Sequence, residues 1–154
     1  MTLQRLGELV LARRNTARLL AAGGREIAPG HYPLIVLLHA AWLGGLWGLV
    51  AWQGIERVNV AWLVVFVVLQ ALRVWVIVTL GPRWTTRIVV LPGAPLVRRG
   101  PYRWVSHPNY LVVAGEILVL PLVFGLVAYG VAFSLLNAIV LWIRIRAEDR
   151  ALGR

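Results

Sequence analysis

Two apolar stretches, from about Pro33 to Trp52 and from about Val60 to Leu80, are each long enough to cross the hydrocarbon core of a bilayer as a helix. Every backbone N–H and C=O placed in lipid must find a partner, and a helix provides one within its own segment. Two further runs, Asn109 to about Phe124 and about Val127 to Ile143, meet around Gly125, bend near Pro121 and read as a helical hairpin. The predicted fold is an all-α integral membrane protein with about four transmembrane helices. Composition agrees, because 60% of the 154 residues are hydrophobic and only 14% are charged, outside the range of soluble domains.

The charges then set the topology. All sixteen basic residues are arginines, and the formal net charge is +10. They fall between the apolar runs rather than on one basic face, which points to positive-inside topology and away from nucleic acid. Residues 1–32 carry +3 (five Arg, two Glu), 81–108 carry +5 (five Arg), and 144–154 carry +2 (four Arg, one Glu, one Asp). The intervening loop at 53–59, with Glu56 and Arg57, carries zero. The N-terminus, the arginine-rich loop and the C-terminus are therefore expected on the cytoplasmic side. No cleavable signal peptide is expected, since the first long apolar run begins only near Pro33. Cysteine is absent, which excludes disulfides, thiolate metal sites and a cysteine nucleophile, and no metal site is expected.

The chain divides as one domain over 1–154 into an N-terminal segment (1–32), two spans (33–80), a cytoplasmic loop (81–108) and a hairpin with an emerging end (109–154). Residues 2–22 set Leu3, Leu6, Leu9, Val10, Ala17 and Leu20 against Arg5, Arg13, Arg14 and Arg18, the pattern of a basic amphipathic helix on the membrane surface. In the first span Gly44, Gly45 and Gly48 suggest close helix packing, and His39 reads as a hydrogen-bonded core histidine. In the second, Gln70 and Arg73 share a helix face, so Arg73 needs either a structural partner or a ligand. Between residues 81 and 106, the β-prone runs Arg87–Leu91 and Leu96–Arg98 flank Pro92-Gly93-Ala94-Pro95 and predict a small hairpin or lid over a site.

Polar side chains concentrate in Gly100-Pro101-Tyr102-Arg103-Trp104-Val105-Ser106-His107-Pro108-Asn109-Tyr110, followed by Glu116. Each proline holds its predecessor out of helical geometry, so a helix should start near Asn109 with His107 at its mouth. Free N–H groups there favour an anion, with His107 and Tyr110 able to donate to the same ligand; aromatic anchoring at the interface is the simpler reading. In the last helix Asn137, Arg144 and Glu148 lie within about 40° of one another, a polar stripe running from mid-membrane to the surface. Arg144 and Glu148 are also an i,i+4 pair, and a solvated salt bridge between them is the simpler alternative.

Taken together, Gly100-Pro101-Tyr102-Arg103, His107-Pro108-Asn109-Tyr110 with Glu116, and Arg144 with Glu148, a following acidic position and Leu152 resemble the isoprenylcysteine carboxyl methyltransferase family of integral membrane enzymes. The segment Arg83 to Val97 resembles a narrower bacterial branch whose members often accompany type III polyketide synthases, some of them methylating long-chain alkylpyrones. The resemblance implies S-adenosylmethionine as cofactor, held by Gly100, Pro101, Tyr102, Arg103, His107, Pro108, Tyr110 and Glu148 under a cytoplasmic cap. It implies Arg144 and Glu148 as the catalytic pair, and Arg73, Trp84, Glu116, Asn137 and Arg144 as contacts to a lipophilic acceptor that enters from the membrane. Ser106 stands where the family commonly has Arg, so an anion contact there is lost or moved to Arg103. The family also usually begins with a full membrane helix before Arg13-Arg14-Asn15, so the N-terminal helix is expected to be truncated or interfacial.

The implied function is O-methyl transfer to a carboxylate or acidic hydroxyl of an isoprenylcysteine-like or alkylpyrone- or alkylresorcinol-like acceptor, in the bacterial inner membrane with the site facing the cytoplasm. The implied partners are membrane lipid, that acceptor (a small molecule or a prenylcysteine) and functionally a type III polyketide synthase. Two rivals were weighed. Membrane NAD(P)H-dependent sterol or enone reductases share a similar His-Pro-Asn-Tyr turn, but no separate dinucleotide-binding glycine motif is present. A non-catalytic scaffold leaves the 100–110 turn and the stripe in the last helix unexplained. The topology is directly testable, because the chain has no cysteine of its own: a cysteine replacing Arg99 should resist an impermeant thiol reagent applied to intact cells and react after lysis. Labelling from outside would reverse the assigned orientation.

Overall fold

The computed structural model describes residues 1–54 and 58–153, so Glu56 and Arg57 of the expected neutral loop lie outside the described residues. Five helices carry the fold: α1 (Thr2–Ala21), α2 (Tyr32–Gln53), α3 (Val60–Leu80), α4 (Pro108–Val123) and α5 (Val127–Leu152). A two-stranded ribbon joins β1 (Arg25–Glu26) to β2 (Val89–Val90). The all-α membrane architecture is as predicted. Among the described residues, three helices are long and apolar enough to span, and α4 is a shorter apolar helix.

Burial in these helices is inverted relative to a soluble bundle. Only 11% of the most apolar window of α2 and 17% of that of α3 are buried within the protein, so their apolar side chains face lipid. The interior instead holds Arg73, Thr79, Glu116, Asn137 and Arg144, all of them buried. α4 has only 16 residues but is the most enclosed, packed between α3 and α5 and touching Trp42 of α2 through Val113 and Ile117. Small residues permit these approaches. A Cβ on Gly45 would meet the Tyr129 hydroxyl at 2.5 Å, one on Gly115 would meet Leu69 at 3.0 Å, and one on Gly130 the Leu118 carbonyl at 3.1 Å. Of the three glycines expected to mark packing in α2, only Gly45 does so; Gly44 and Gly48 face open space.

The surface-lying placement expected for the N-terminal helix is not what the structure shows. α1 stands alongside α3: Glu8 meets Arg73, and Asn15 donates to the carbonyls of Gly81 (3.1 Å) and Trp84 (2.8 Å). At its start, the Trp47 indole donates to the Thr2 hydroxyl (3.2 Å). The inward face is Glu8, Ala12 and Asn15, while Leu3, Leu6 and Val10 point outward. The leucine stripe was read as the side laid onto the membrane, but the polar face is the one that finds partners inside the bundle.

Those partners form one buried ionic cluster. Arg73 donates through Nε and Nη2 to the two oxygens of Glu8, each at 2.7 Å, and through Nη1 to Glu116 at 3.2 Å. Arg5 donates to both Glu8 (2.9 Å) and Glu116 (2.5 Å), and Gln70 donates to Glu116 (2.8 Å). The predicted hairpin is also corrected. The turn forms, with the Ala94 N–H on the Leu91 carbonyl and Gly93 at φ 74°, but β2 pairs with β1 rather than with 96–98. After the reversal at Gly23-Gly24, the chain returns Arg25 and Glu26 to the edge of β2, and the Ile27 N–H bonds the Ile88 carbonyl at 2.8 Å. The second arm is held instead by Arg83, which donates to the Pro95 carbonyl.

Removing one member of a buried ion cluster strands the others. Glu116→Leu should lower stability in detergent by about 3 kcal/mol or more, whereas trimming the lipid-facing Leu37 to Ala should cost under about 1 kcal/mol. Equilibrium unfolding by denaturing detergent measures both, and equal losses would refute the structural role of the cluster.

Candidate functional site

The 100–110 loop is built on the end of α3. Gly100 adopts φ 55°, and a Cβ there would meet Thr79 Oγ1 at 2.6 Å, so glycine is required by both conformation and space. Pro101 is buried at the start of a short 3-10 turn, and the Trp104 N–H bonds its carbonyl. Tyr102 then packs on Ala12, Val76 and Trp84. Burial, and secondarily the Glu148 carboxylate, push the Tyr102 phenol well above its ordinary pKa, so it remains a hydroxyl donor at neutral pH.

Pro108 begins α4, and His107 occupies the cap position with extended φ of −128°, as its place before proline requires. Two contacts tie this mouth to the end of α5. His107 Nε2 lies 2.9 Å from Asp149 Oδ1, and the Tyr110 hydroxyl donates to Glu148 at 2.5 Å. The His107 and Tyr110 rings stack at 5.4 Å and 23°. The expected Arg144–Glu148 salt bridge does not form. Arg144 instead donates to the Thr86 carbonyl at 2.8 Å and lies 6.0 Å from the centre of the Tyr110 ring, with its Nε buried and unpartnered. One guanidinium and two carboxylates are thus held apart at one mouth.

The 84–91 segment covers this mouth. Tyr32 shares a hydrogen bond with Thr86 (3.2 Å), the Arg87 guanidinium sits 4.6 Å over the Tyr32 ring, and Arg87 pairs with Glu26 at 2.9 Å. Beneath it lies a cavity of about 540 Å³, within the range of small-molecule sites. Its polar end, beneath the 84–91 segment, is lined by Tyr102, His107, Tyr110, Arg144 and Glu148; its apolar end is lined by Leu6, Val36, His39, Leu43 and Val113.

Of the residues expected at the site, Arg73, Trp84, Tyr102, His107, Tyr110, Arg144 and Glu148 line this cavity. Gly100, Pro101 and Pro108 shape the turns, and Arg103 points outward. Glu116, at 0% exposure, belongs to the ionic cluster, and Asn137 is buried with an unpartnered Oδ1 but does not line the cavity. Arg73 borders the cavity with its guanidinium already committed to Glu8 and Glu116. The structure adds Tyr32, Thr86 and Asp149. The acid after Glu148 was visible in sequence, whereas a backbone carbonyl such as that of Thr86 leaves no signature in residue identity.

Residues 62–154 match the model of the Isoprenylcysteine carboxyl methyltransferase (ICMT) family. The chain is also 38% identical over 161 residues to "Uncharacterized protein YpbQ" of Bacillus subtilis (strain 168), covering 99% of this chain and 92% of that one. No solved structure matches.

Arg144 holds the cover through one backbone contact, which gives a measurement independent of turnover. Arg144→Leu should raise amide hydrogen exchange across 84–91 by about tenfold, the effect of losing one charge-assisted hydrogen bond, while the α3–α4 contact keeps its protection. Unchanged exchange over 84–91 would show that the cover is held by Tyr32 and β1 alone.

Proposed function

The chain belongs to the isoprenylcysteine carboxyl methyltransferase family of membrane methyltransferases, and from that membership we propose that it transfers methyl from S-adenosylmethionine to a carboxylate or acidic hydroxyl of a lipophilic acceptor at the cytoplasmic membrane face. The observation that carries this reading is a continuous cavity that joins a polar mouth to an apolar chamber between α1 and α2. A polar charged donor and a lipid acceptor need such a two-ended space.

The residues at the mouth fit the cofactor. Glu148 offers its carboxylate to a cationic ligand and to its amino and ribose donors, the faces of Tyr102 and Tyr110 suit a sulfonium, and the Nε of Arg144 is a buried donor awaiting an acceptor. When bound, the cofactor supplies an electrophilic methyl group. The chain supplies position, which is the main lever in an in-line displacement. Arg144 would orient the acceptor oxygen, Glu148 would hold the cationic ligand, Tyr110 would fix the Glu148 carboxylate, and the 84–91 cover would exclude water. For an acceptor that must lose a proton, Glu148 or His107 would take it.

The finer features of the proposal rest on resemblance and charge. The Trp84 to Val97 segment supports an alkylpyrone- or alkylresorcinol-like acceptor made by a type III polyketide synthase. The arginine distribution supports the bacterial inner membrane with the mouth facing the cytoplasm.

S-adenosylmethionine or its demethylated product should raise the melting temperature of the detergent-solubilised protein, and NADPH should not. Stabilisation by NADPH alone would replace methyl transfer with hydride transfer. Glu148→Gln should weaken cofactor binding about tenfold, whereas Arg144→Leu should leave binding within about threefold and lower methyl transfer at least a hundredfold, a loss confined to the transition state. Equal, mild effects in calorimetry and in the methyl-transfer assay would remove both residues from the site.

A further inference from the structure

Among the described residues, the apolar half of the cavity contains an acceptor that makes no hydrogen bond. His39 lies on α2 two turns beyond Tyr32, about 10 Å deeper along the helix. Its Nδ1 is 2.8 Å from the Ile35 carbonyl. A carbonyl only accepts, so Nδ1 carries the hydrogen, and in a neutral imidazole Nε2 is left with a lone pair. Among the described residues, Nε2 makes no hydrogen bond, and the side chain lines the cavity.

The other polar groups of that wall are engaged within the protein, the Thr2 hydroxyl as an acceptor that keeps its own hydrogen. Glu8 takes Arg73, Arg5 and Gln4; Arg73 and Arg5 are spent on Glu8 and Glu116; the Thr2 hydroxyl accepts from Trp47. Trp42, edge-on to the imidazole with ring centroids 6.5 Å apart, adds an indole N–H that has no partner. An unpartnered acceptor therefore faces an apolar chamber, while the unpartnered indole N–H of Trp42 is buried in the adjoining wall. Such groups are costly to leave unmet, and a site that needs them filled discriminates strongly against ligands that cannot fill them.

We infer that His39 is a specificity-determining residue whose Nε2 accepts a hydrogen bond from a hydroxyl of the acceptor lipid, so that the chamber selects a neutral phenol or enol over a carboxylate. A carboxylate at neutral pH has no proton to give and would set its own lone pairs against that of Nε2. The reading of the chamber as the acceptor site rests on the methyltransferase proposal above, but hydrogen bonding at His39 is measurable without turnover.

The experiment compares binding of a long-chain alkylresorcinol with binding of its dimethyl ether, which has the same ring and tail but no hydroxyl hydrogens. The wild-type protein in detergent, without cofactor, should bind the resorcinol about tenfold more tightly, and in His39→Leu the ratio should fall to within about twofold. His39→Gln, which keeps an acceptor oxygen, should retain part of the preference. In nitrogen NMR of imidazole-labelled protein, the Nε2 signal of His39 should move upfield with the resorcinol and not with the ether, a readout that stands even if a variant fails to fold. Equal wild-type binding of the two probes, or a preference that survives His39→Leu, overturns the assignment. Cofactor binding without hydroxyl preference removes the His39 subsite and leaves the methyltransferase reading; hydroxyl preference without cofactor binding does the reverse.

Discussion

Arg73 sits on a helix whose other faces meet lipid, and its charge is tolerable there only because Glu8 and Glu116 meet it on two sides. With Arg5 the group contains two positive and two negative side chains, a neutral set in which each carboxylate receives at least three hydrogen bonds. In a low-dielectric layer such a set is stable only when complete, because each charge is desolvated whether or not its partner is present. The cluster therefore fixes three helices at once. It holds α1 upright against α3, and it fixes the rotation of α4, whose first turn presents His107 and Tyr110.

The functional mouth depends on that arrangement. With α4 oriented, Tyr110 reaches Glu148 and His107 reaches Asp149, so the last turns of α5 are bound to the first turn of α4. Arg144, one turn earlier on α5, is released from its neighbour Glu148 and is left to hold the cover through Thr86. Charge at the deep cluster is fully paired, while charge at the mouth is only partly paired. That contrast distinguishes a structural ionic network from a candidate binding site in the same small protein.

α1 is also one wall of the cavity. Its outward leucines belong to the lipid layer, yet Leu6 and Leu9 border the chamber beside Val36 and Leu43 of α2. An apolar ligand entering along this wall would thus meet side chains of the kind it left in the bilayer, with His39 as the polar group among them.

The apolar runs, the arginine-rich loop and the residues of the 100–110 turn were legible from sequence because hydropathy, charge placement and proline geometry act over short distances. So were Arg144 and Glu148 as candidates, although not their partners. The sequence showed that Arg73 required either a structural partner or a ligand, but not that the partner was Glu8, because in a membrane the apolar face of α1 turns outward and the polar face inward. Glu116 was read as a site residue because it follows the motif at a fixed distance, yet its side chain points into the ionic cluster. The pairing of β2 with β1, the Thr86 carbonyl on Arg144 and the unused Nε2 of His39 exist only once distant segments meet. The sequence by itself determined that this chain is a helical membrane protein with a polar loop on one side. Only the tertiary structure decided which buried charges cancel and which remain free, because that depends on distances between groups up to 111 positions apart in the chain.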